Sequence, residues 1–162
     1  MKKLLSVFAA VAMLFGFASC SGDLHDDVKA PIDLSTGYYL VGNMTNWDNK
    51  EAIAFEENAE VPGTYVVKFQ ATETEIAFAF IPKLGSWDGQ IGGNLMVGGK
   101  LPANAEFASK DNGVGGFNGT VSGLEAKANY KMVVTPNDDG TLKLDVSSNV
   151  PPTPVYLHNM YV

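Results

Sequence analysis

The 162-residue chain has no arginine, two histidines and a single cysteine. Its 11 basic residues are all lysines, so it lacks the forked guanidinium groups that usually grip phosphate. With 18 acidic residues the net charge is −7, which repels a polyanion, so we expect no nucleic-acid partner. One cysteine cannot close an internal disulfide. Without a histidine pair or a cysteine cluster at ligand spacing, we expect no metal site and no cofactor.

The first residues have the layout of a secretory leader. Lys2 and Lys3 give a positive start, and residues 4–17 form an apolar run that ends in small residues. This run is shorter than the roughly 20 residues that a membrane-spanning helix needs. We therefore assign residues 1–19 to a removed signal peptide, with a buried N-terminal helix as the alternative. Removal leaves nine lysines against 18 acidic residues, a net charge of −9.

The cysteine follows directly on this leader. Phe17-Ala18-Ser19-Cys20 resembles the lipobox of bacterial lipoproteins. That resemblance implies that Cys20 begins the mature chain and carries a lipid that anchors the protein to the outer membrane, at the cell surface. The three aspartates that follow resemble the surface-export signal of Bacteroidetes lipoproteins, although a solvated tether explains them nearly as well. We expect residues 20–35 to form this lipidated acidic tether.

After the tether, short β-like runs alternate with turns. The runs are rich in β-branched and aromatic residues, and no window of eleven or more residues sustains a helical stripe. We predict an all-β fold, an antiparallel immunoglobulin-like β-sandwich over residues 36–148. Within it, the glycine-rich segment 85–116 holds long loops and one or two irregular strands. The predicted strands are 38–41, 52–56, 65–69, 75–81, 117–121, 130–135 and 141–146.

Two of these predictions are specific enough to check directly. Alternation in the strand 75–81 places Phe78 and Phe80 on the same face of a sheet. Asn137 to Gly140 lie between two predicted strands and end in Asp-Gly, the dipeptide typical of a tight hairpin. A calcium site at the two aspartates of this segment is the alternative, but hard cations need six or more oxygen ligands.

The most informative segment runs from Tyr38 to Asp48 and reads YYLVGNMTNWD. A strand enters a glycine and then a short polar turn that presents Trp47. Later, the strand ending in Phe78-Ala79-Phe80-Ile81 leads through a turn to Trp87-Asp88-Gly89. Both elements resemble the starch- and glycogen-binding sandwich modules, above all those of SusE/SusF-type outer-membrane starch-binding lipoproteins. The resemblance covers about residues 36–147. It implies capture of starch or a related α-glucan, with an outer-membrane glycan-uptake complex as a possible neighbour.

The resemblance also implies a site built on the only two tryptophans, Trp47 and Trp87. A sugar ring has an apolar face for an aromatic plate and a rim of hydroxyls for polar groups. Half-buried packing is the alternative role for either ring. Glycogen-binding relatives tend to have a lysine at the position of Ala79, which a nearby lysine would have to replace here. The predicted polar partners of the sugar are Lys83, Asp88, Gln90 and Asn94.

Catalysis has no such support in the sequence. No motif marks a nucleophile, and nothing singles out a pair of carboxylates for glycoside hydrolysis among the 18 acidic residues. A small sandwich without such motifs is more often a binding module, so we expect no enzymatic activity. The alternative function is that of a structural or adhesive surface lipoprotein without a glycan site.

Residues 149–162 begin with a proline-rich stretch that resembles a stiff linker. Beyond it, residues 156–160 partly repeat residues 39–44. This echo permits either an incomplete second module or a final strand at a sheet edge. We favour the final strand, because short apolar tails often dock in that way.

Overall fold

The computed structural model describes residues 29–150, in which ten strands form two facing sheets. The predicted leader 1–19, Cys20 and the repeat-like residues 156–160 lie outside the described residues. Two short 3-10 helices, Asn43–Thr45 and Gly93–Leu95, complete the regular structure of the described part. The strands are β1 (Tyr39–Gly42), β2 (Ile53–Ala54), β3 (Glu56–Glu57), β4 (Tyr65–Gln70), β5 (Glu75–Ile81), β6 (Met96–Gly98), β7 (Glu106–Asp111), β8 (Phe117–Ser122), β9 (Asn129–Pro136) and β10 (Leu142–Ser148).

The strands pair in the orders β2-β1-β5-β8-β7 and β3-β4-β9-β10-β6, which we call the first and second sheets. All pairings are antiparallel except that of β6 with β10, which is parallel. The predicted all-β sandwich is thus confirmed, with a parallel edge strand that the sequence did not indicate. This edge strand comes from the glycine-rich segment, which also supplies β7.

The predicted strand 52–56 divides between the two sheets. Its first part, β2, pairs with β1 in the first sheet, whereas β3 pairs with β4 in the second. The residue between them, Phe55, packs edge-on against Phe80 with ring centroids 4.9 Å apart. The chain therefore crosses from one sheet to the other where an aromatic side chain turns into the core.

The core lies between the sheets and follows the alternation of each strand. In β5, Ile76, Phe78 and Phe80 are fully buried in it, and the two phenylalanine rings stack at 5.8 Å. The prediction that Phe78 and Phe80 share one face is therefore confirmed. Burial of a side chain of this size contributes about 1.5 to 3 kcal/mol to stability. The intervening residues Ala77 and Ala79 point to the outer face of the first sheet, where the site lies.

The predicted hairpin joins β9 to β10. The backbone N–H of Asn137 donates to the carbonyl of Thr141 at 2.9 Å, and Gly140 takes a φ of 78°. Such a positive φ costs glycine little, which explains the Asp-Gly pair at this turn.

Near the N-terminal end of the described residues, Leu34 is buried in the core. This residue belongs to the segment 20–35 that was predicted to be a tether.

Within residues 29–150, no helix is long and apolar enough to cross a membrane.

Candidate functional site

A cleft of about 610 Å³ opens on the outer face of the first sheet. Both tryptophans of the chain line it, together with four side-chain amides. Aromatic surface beside a few polar groups is the usual make-up of a small-molecule site. The lining residues of this cleft, which we call the main cleft, are Asn43, Trp47, Ala77, Trp87, Gln90, Asn112, Val114 and Asn118.

Trp47 reaches the main cleft through the tight turn that follows β1. Its backbone N–H donates to the carbonyl of Gly42 at 2.9 Å, and that of Asn46 donates to Asn43 at 3.0 Å. These two bonds close the 3-10 helix 43–45 in the manner of a Schellman motif, with Asn46 left-handed at a φ of 52°. Asparagine tolerates that conformation better than most residues. The turn therefore places Trp47 just beyond the end of β1.

Trp47 itself has a φ of 57°, which is uncommon for a bulky residue. A conformation of this kind costs about 1 to 3 kcal/mol and persists only where neighbouring contacts hold it. Here the half-buried ring packs against a small apolar cluster on the outer face of the sheet, formed by Val41, Ala79 and Ile81. One side of Trp47 therefore serves packing, while the residue also lines the main cleft.

Trp87 lies on the loop that follows β5. This loop returns to the sheet through reciprocal backbone hydrogen bonds of 3.0 and 2.8 Å between Phe80 and Ile91. The N–H of Gly85 donates to the carbonyl of Asn49 at 3.0 Å, which ties the loop to the turn after Trp47. Trp87 remains 44% exposed although it is a large aromatic residue. Its surface is therefore available to a ligand.

Asn43 is fixed by the floor of the main cleft. The backbone N–H of Ala77 donates to Oδ1 of Asn43 at 2.9 Å, which leaves the NH₂ group of this side chain with two donors. The approach of this turn to β5 requires Gly42, because a Cβ there would lie 2.2 Å from the carbonyl oxygen of Ala77. The glycine thus permits the contact that orients the amide.

Asn112 is held in the same manner by its own loop. Its Oδ1 accepts hydrogen bonds from the backbone N–H groups of Val114 at 3.0 Å and Gly116 at 2.9 Å. These bonds fold the β7–β8 connection over its asparagine and engage the oxygen of the amide. Asn43 and Asn112 therefore approach the main cleft with their carbonyl oxygens occupied and their NH₂ donors left over.

None of the residues that line the main cleft carries a charge. The shifted titrating groups of the described chain lie elsewhere. Hydrogen bonds from Ser35 and Thr141 lower the pKa of Asp33 and of Asp139, respectively, and burial raises the pKa of Tyr38. Four amides and two indole rings without a formal charge match a neutral ligand rich in hydroxyl groups.

The structure gathers some of the predicted site residues and separates others. Trp47, Trp87 and Gln90 line the main cleft together. Asn94 lines a smaller cleft that adjoins it, while Lys83 and Asp88 are exposed on the Trp87 loop and line neither cleft. Whether each residue contacts a sugar stays a prediction.

The sequence did not predict a place at the site for Asn43, Asn112 or Asn118. Asparagine next to glycine is an ordinary turn former, so nothing in the sequence marked these amides as ligand donors. The signal available for Asn43 was its position inside the segment 38–48. The other two have no local signal, since only the pairing of β8 with β5 brings them to the site.

No group of histidine, cysteine, aspartate or glutamate side chains within residues 29–150 is arranged to hold a metal ion.

Comparison with known proteins identifies the family of this chain. A family model described as "SusF, first starch specific CBM" matches residues 33–147, where CBM stands for carbohydrate-binding module. The chain belongs to this family. The resemblance to SusE/SusF-type starch-binding modules is thereby confirmed, and the match spans all ten strands of the module except the last residue of β10. Searches of curated proteins and of solved structures found no match.

Proposed function

We propose that this SusF-family module is a non-catalytic binding protein that captures starch in the main cleft. The observation that carries the proposal is the convergence of Trp47 and Trp87 on one uncharged cleft. The rings supply apolar surface for the C–H faces of glucose units. The amides of Asn43, Gln90, Asn112 and Asn118 supply hydrogen bonds to hydroxyl groups.

The expected affinity of a single cleft is low. If each ring contributes about 2 kcal/mol, by analogy with stacking on nucleobases, the pair contributes about 4 kcal/mol. That free energy corresponds to a dissociation constant near 1 mM. Capture of a long polymer would then depend on many copies that bind the same chain at once.

Intrinsic tryptophan fluorescence provides the test of binding, because both tryptophans line the main cleft. Purified protein is titrated with soluble starch, and with an α-1,6-linked dextran as the control for linkage. We expect the emission to shift and saturate with starch in the millimolar range of glucose units. An unchanged spectrum at about 10 mM glucose units contradicts the proposal, given the affinity estimated above.

The absence of catalysis is tested on the same preparation. We expect no reducing ends to appear when the protein is incubated with starch and a panel of other polysaccharides. Release of reducing sugar that persists in the purified Trp87→Ala variant would indicate a catalytic site elsewhere in the chain. Release that disappears in that variant would place hydrolysis in the main cleft and contradict the proposal that the protein is non-catalytic.

We further propose that Cys20 carries a lipid that holds the module at the outer surface of the outer membrane. The lipobox-like residues 17–20 and the acidic residues after them support this placement. We expect the full chain in the membrane fraction of cells, open to protease added outside, and the Cys20→Ser variant in the soluble fraction. A wild-type protein that is soluble contradicts the anchor, and one that resists external protease contradicts the surface location.

A further inference from the structure

A smaller cleft of about 310 Å³ adjoins the main cleft beside the connection between β7 and β8. It shares Gln90, Asn112 and Val114 with the main cleft, so the two clefts lie next to each other. We call it the side cleft. Its lining residues are Gln90, Gly92, Asn94, Asn112, Val114, Gly116 and Phe117.

The side cleft repeats the chemistry of the main cleft. Phe117 supplies an aromatic surface, the amides of Gln90, Asn94 and Asn112 supply hydrogen-bonding groups, and no lining residue carries a charge. Part of the wall is bare backbone at Gly92, where a Cβ would lie 2.3 Å from the carbonyl oxygen of Phe117. The cleft is therefore uncharged and partly aromatic.

Phe117 is exposed in a way that packing does not explain. It is the first residue of β8 and has the same parity as Gly119 and Val121, which face the core. It lies beyond the end of that core, however, and 42% of its surface is exposed. A nearby apolar side chain, Val114, lines both clefts and is 87% exposed. Phe117 and Val114 therefore present apolar surface to a ligand that enters the side cleft.

We propose that the side cleft is a second sugar subsite, in which Phe117 contacts further glucose units of the chain bound at the tryptophans. The inference rests on the proposed starch-binding function. A linear α-glucan would run from Trp47 and Trp87 past Val114 to Phe117. A single extended ligand is favoured over two separate ones, because the amides of Gln90 and Asn112 border both clefts.

The consequence is a dependence of affinity on chain length. A short oligosaccharide such as maltotriose fills the main cleft alone, whereas maltoheptaose also reaches Phe117. Titration calorimetry with these two probes measures both dissociation constants. We expect wild-type protein to bind maltoheptaose about tenfold more tightly than maltotriose. The Phe117→Ala variant should bind both with the affinity that wild type shows for maltotriose.

Two further variants make the test specific. Phe117→Leu keeps most of the side-chain volume and removes the aromatic ring, so it tests the same point if Phe117→Ala folds poorly. Val97→Ala shortens an apolar side chain at a residue that is 41% exposed on β6, in the second sheet, and should change neither constant.

The outcomes separate this inference from the function on which it rests. If Phe117→Ala and Phe117→Leu bind maltoheptaose as wild type does, or lose affinity for both probes equally, the side cleft is not a separate subsite. Equal wild-type affinity for the two probes also overturns it. In each of these cases starch binding in the main cleft still stands. If wild type binds neither probe nor soluble starch, the proposed function itself fails.

Discussion

Asn43 and Ala77 are joined by a hydrogen bond of 2.9 Å, from the backbone N–H of Ala77 to Oδ1 of Asn43. The bond links the turn that carries Trp47 to β5, which forms the floor of the main cleft. One amide thus fixes the position of the first tryptophan loop with its oxygen, and its nitrogen is left to donate to a ligand. The two halves of the side chain therefore have separable roles.

Substitution of Asn43 should separate the two roles. Asn43→Asp retains an acceptor for the N–H of Ala77 and removes both donors, so we expect an unchanged melting temperature and about a fivefold weaker binding of maltoheptaose. Asn43→Ala removes the acceptor as well, and the unfolding free energy should fall by about 1 to 2 kcal/mol. Thermal unfolding and calorimetry measure the two effects. Wild-type affinity in Asn43→Asp would show that the amide donors do not contact the sugar.

The two tryptophans should differ in their effect on stability. Trp87 is 44% exposed, so Trp87→Ala should weaken binding about 30-fold, equivalent to about 2 kcal/mol, and leave the melting temperature nearly unchanged. Trp47 packs on Val41, Ala79 and Ile81, so Trp47→Ala should also lower the unfolding free energy by about 2 kcal/mol. Denaturant titration of both variants measures this difference. Equal stability losses in the two variants would mean that packing of the Trp47 ring on the apolar cluster does not stabilise the fold.

Much of the fold could be predicted from the sequence, because strands with one buried face carry an alternating pattern. The range 75–81 matches β5, and both tryptophans were singled out by their position after a strand. The division of 52–56 at Phe55 could not be predicted, since the crossing depends on contact with Phe80 across the core. The convergence of Asn112 on the site likewise depends on strand pairing.

The contact between Ala79 and Trp47 explains why an alanine occupies the position at which the resemblance led us to expect a lysine. Its side chain is fully buried on the outer face of β5, in the cluster against which Trp47 packs. A lysine there would displace the ring, because a long charged side chain does not fit a site filled by an indole.

We therefore expect Ala79→Lys to lower the unfolding free energy by about 2 to 3 kcal/mol and to weaken starch binding about tenfold or more. Chemical denaturation and the fluorescence titration measure the two quantities. Ala52→Lys, at a partly buried position beside the same cluster, is the matched control and should cost less stability. A stable Ala79→Lys variant that binds more tightly would show that this position accepts a lysine that takes part in binding.

The affinity for the ligand should not depend on pH in the range in which the protein is stably folded. No side chain that lines the main cleft titrates, so the dissociation constant for maltoheptaose should change less than about twofold between about pH 5 and pH 8. A larger change over that range would place a titrating group at the ligand.

Acid should act on stability instead. Hydrogen bonds from the side chain and backbone of Thr141 lower the pKa of Asp139 below its ordinary value, so the folded state favours the carboxylate. A lowered pKa contributes stability above the ordinary pKa, and that contribution disappears as the pH falls through the lower folded value. Asp139→Asn keeps an acceptor for Thr141 and removes the titration. Its melting temperature should therefore fall less than that of wild type between about pH 5 and pH 2. Identical profiles would show that the hairpin carboxylate does not contribute to acid sensitivity.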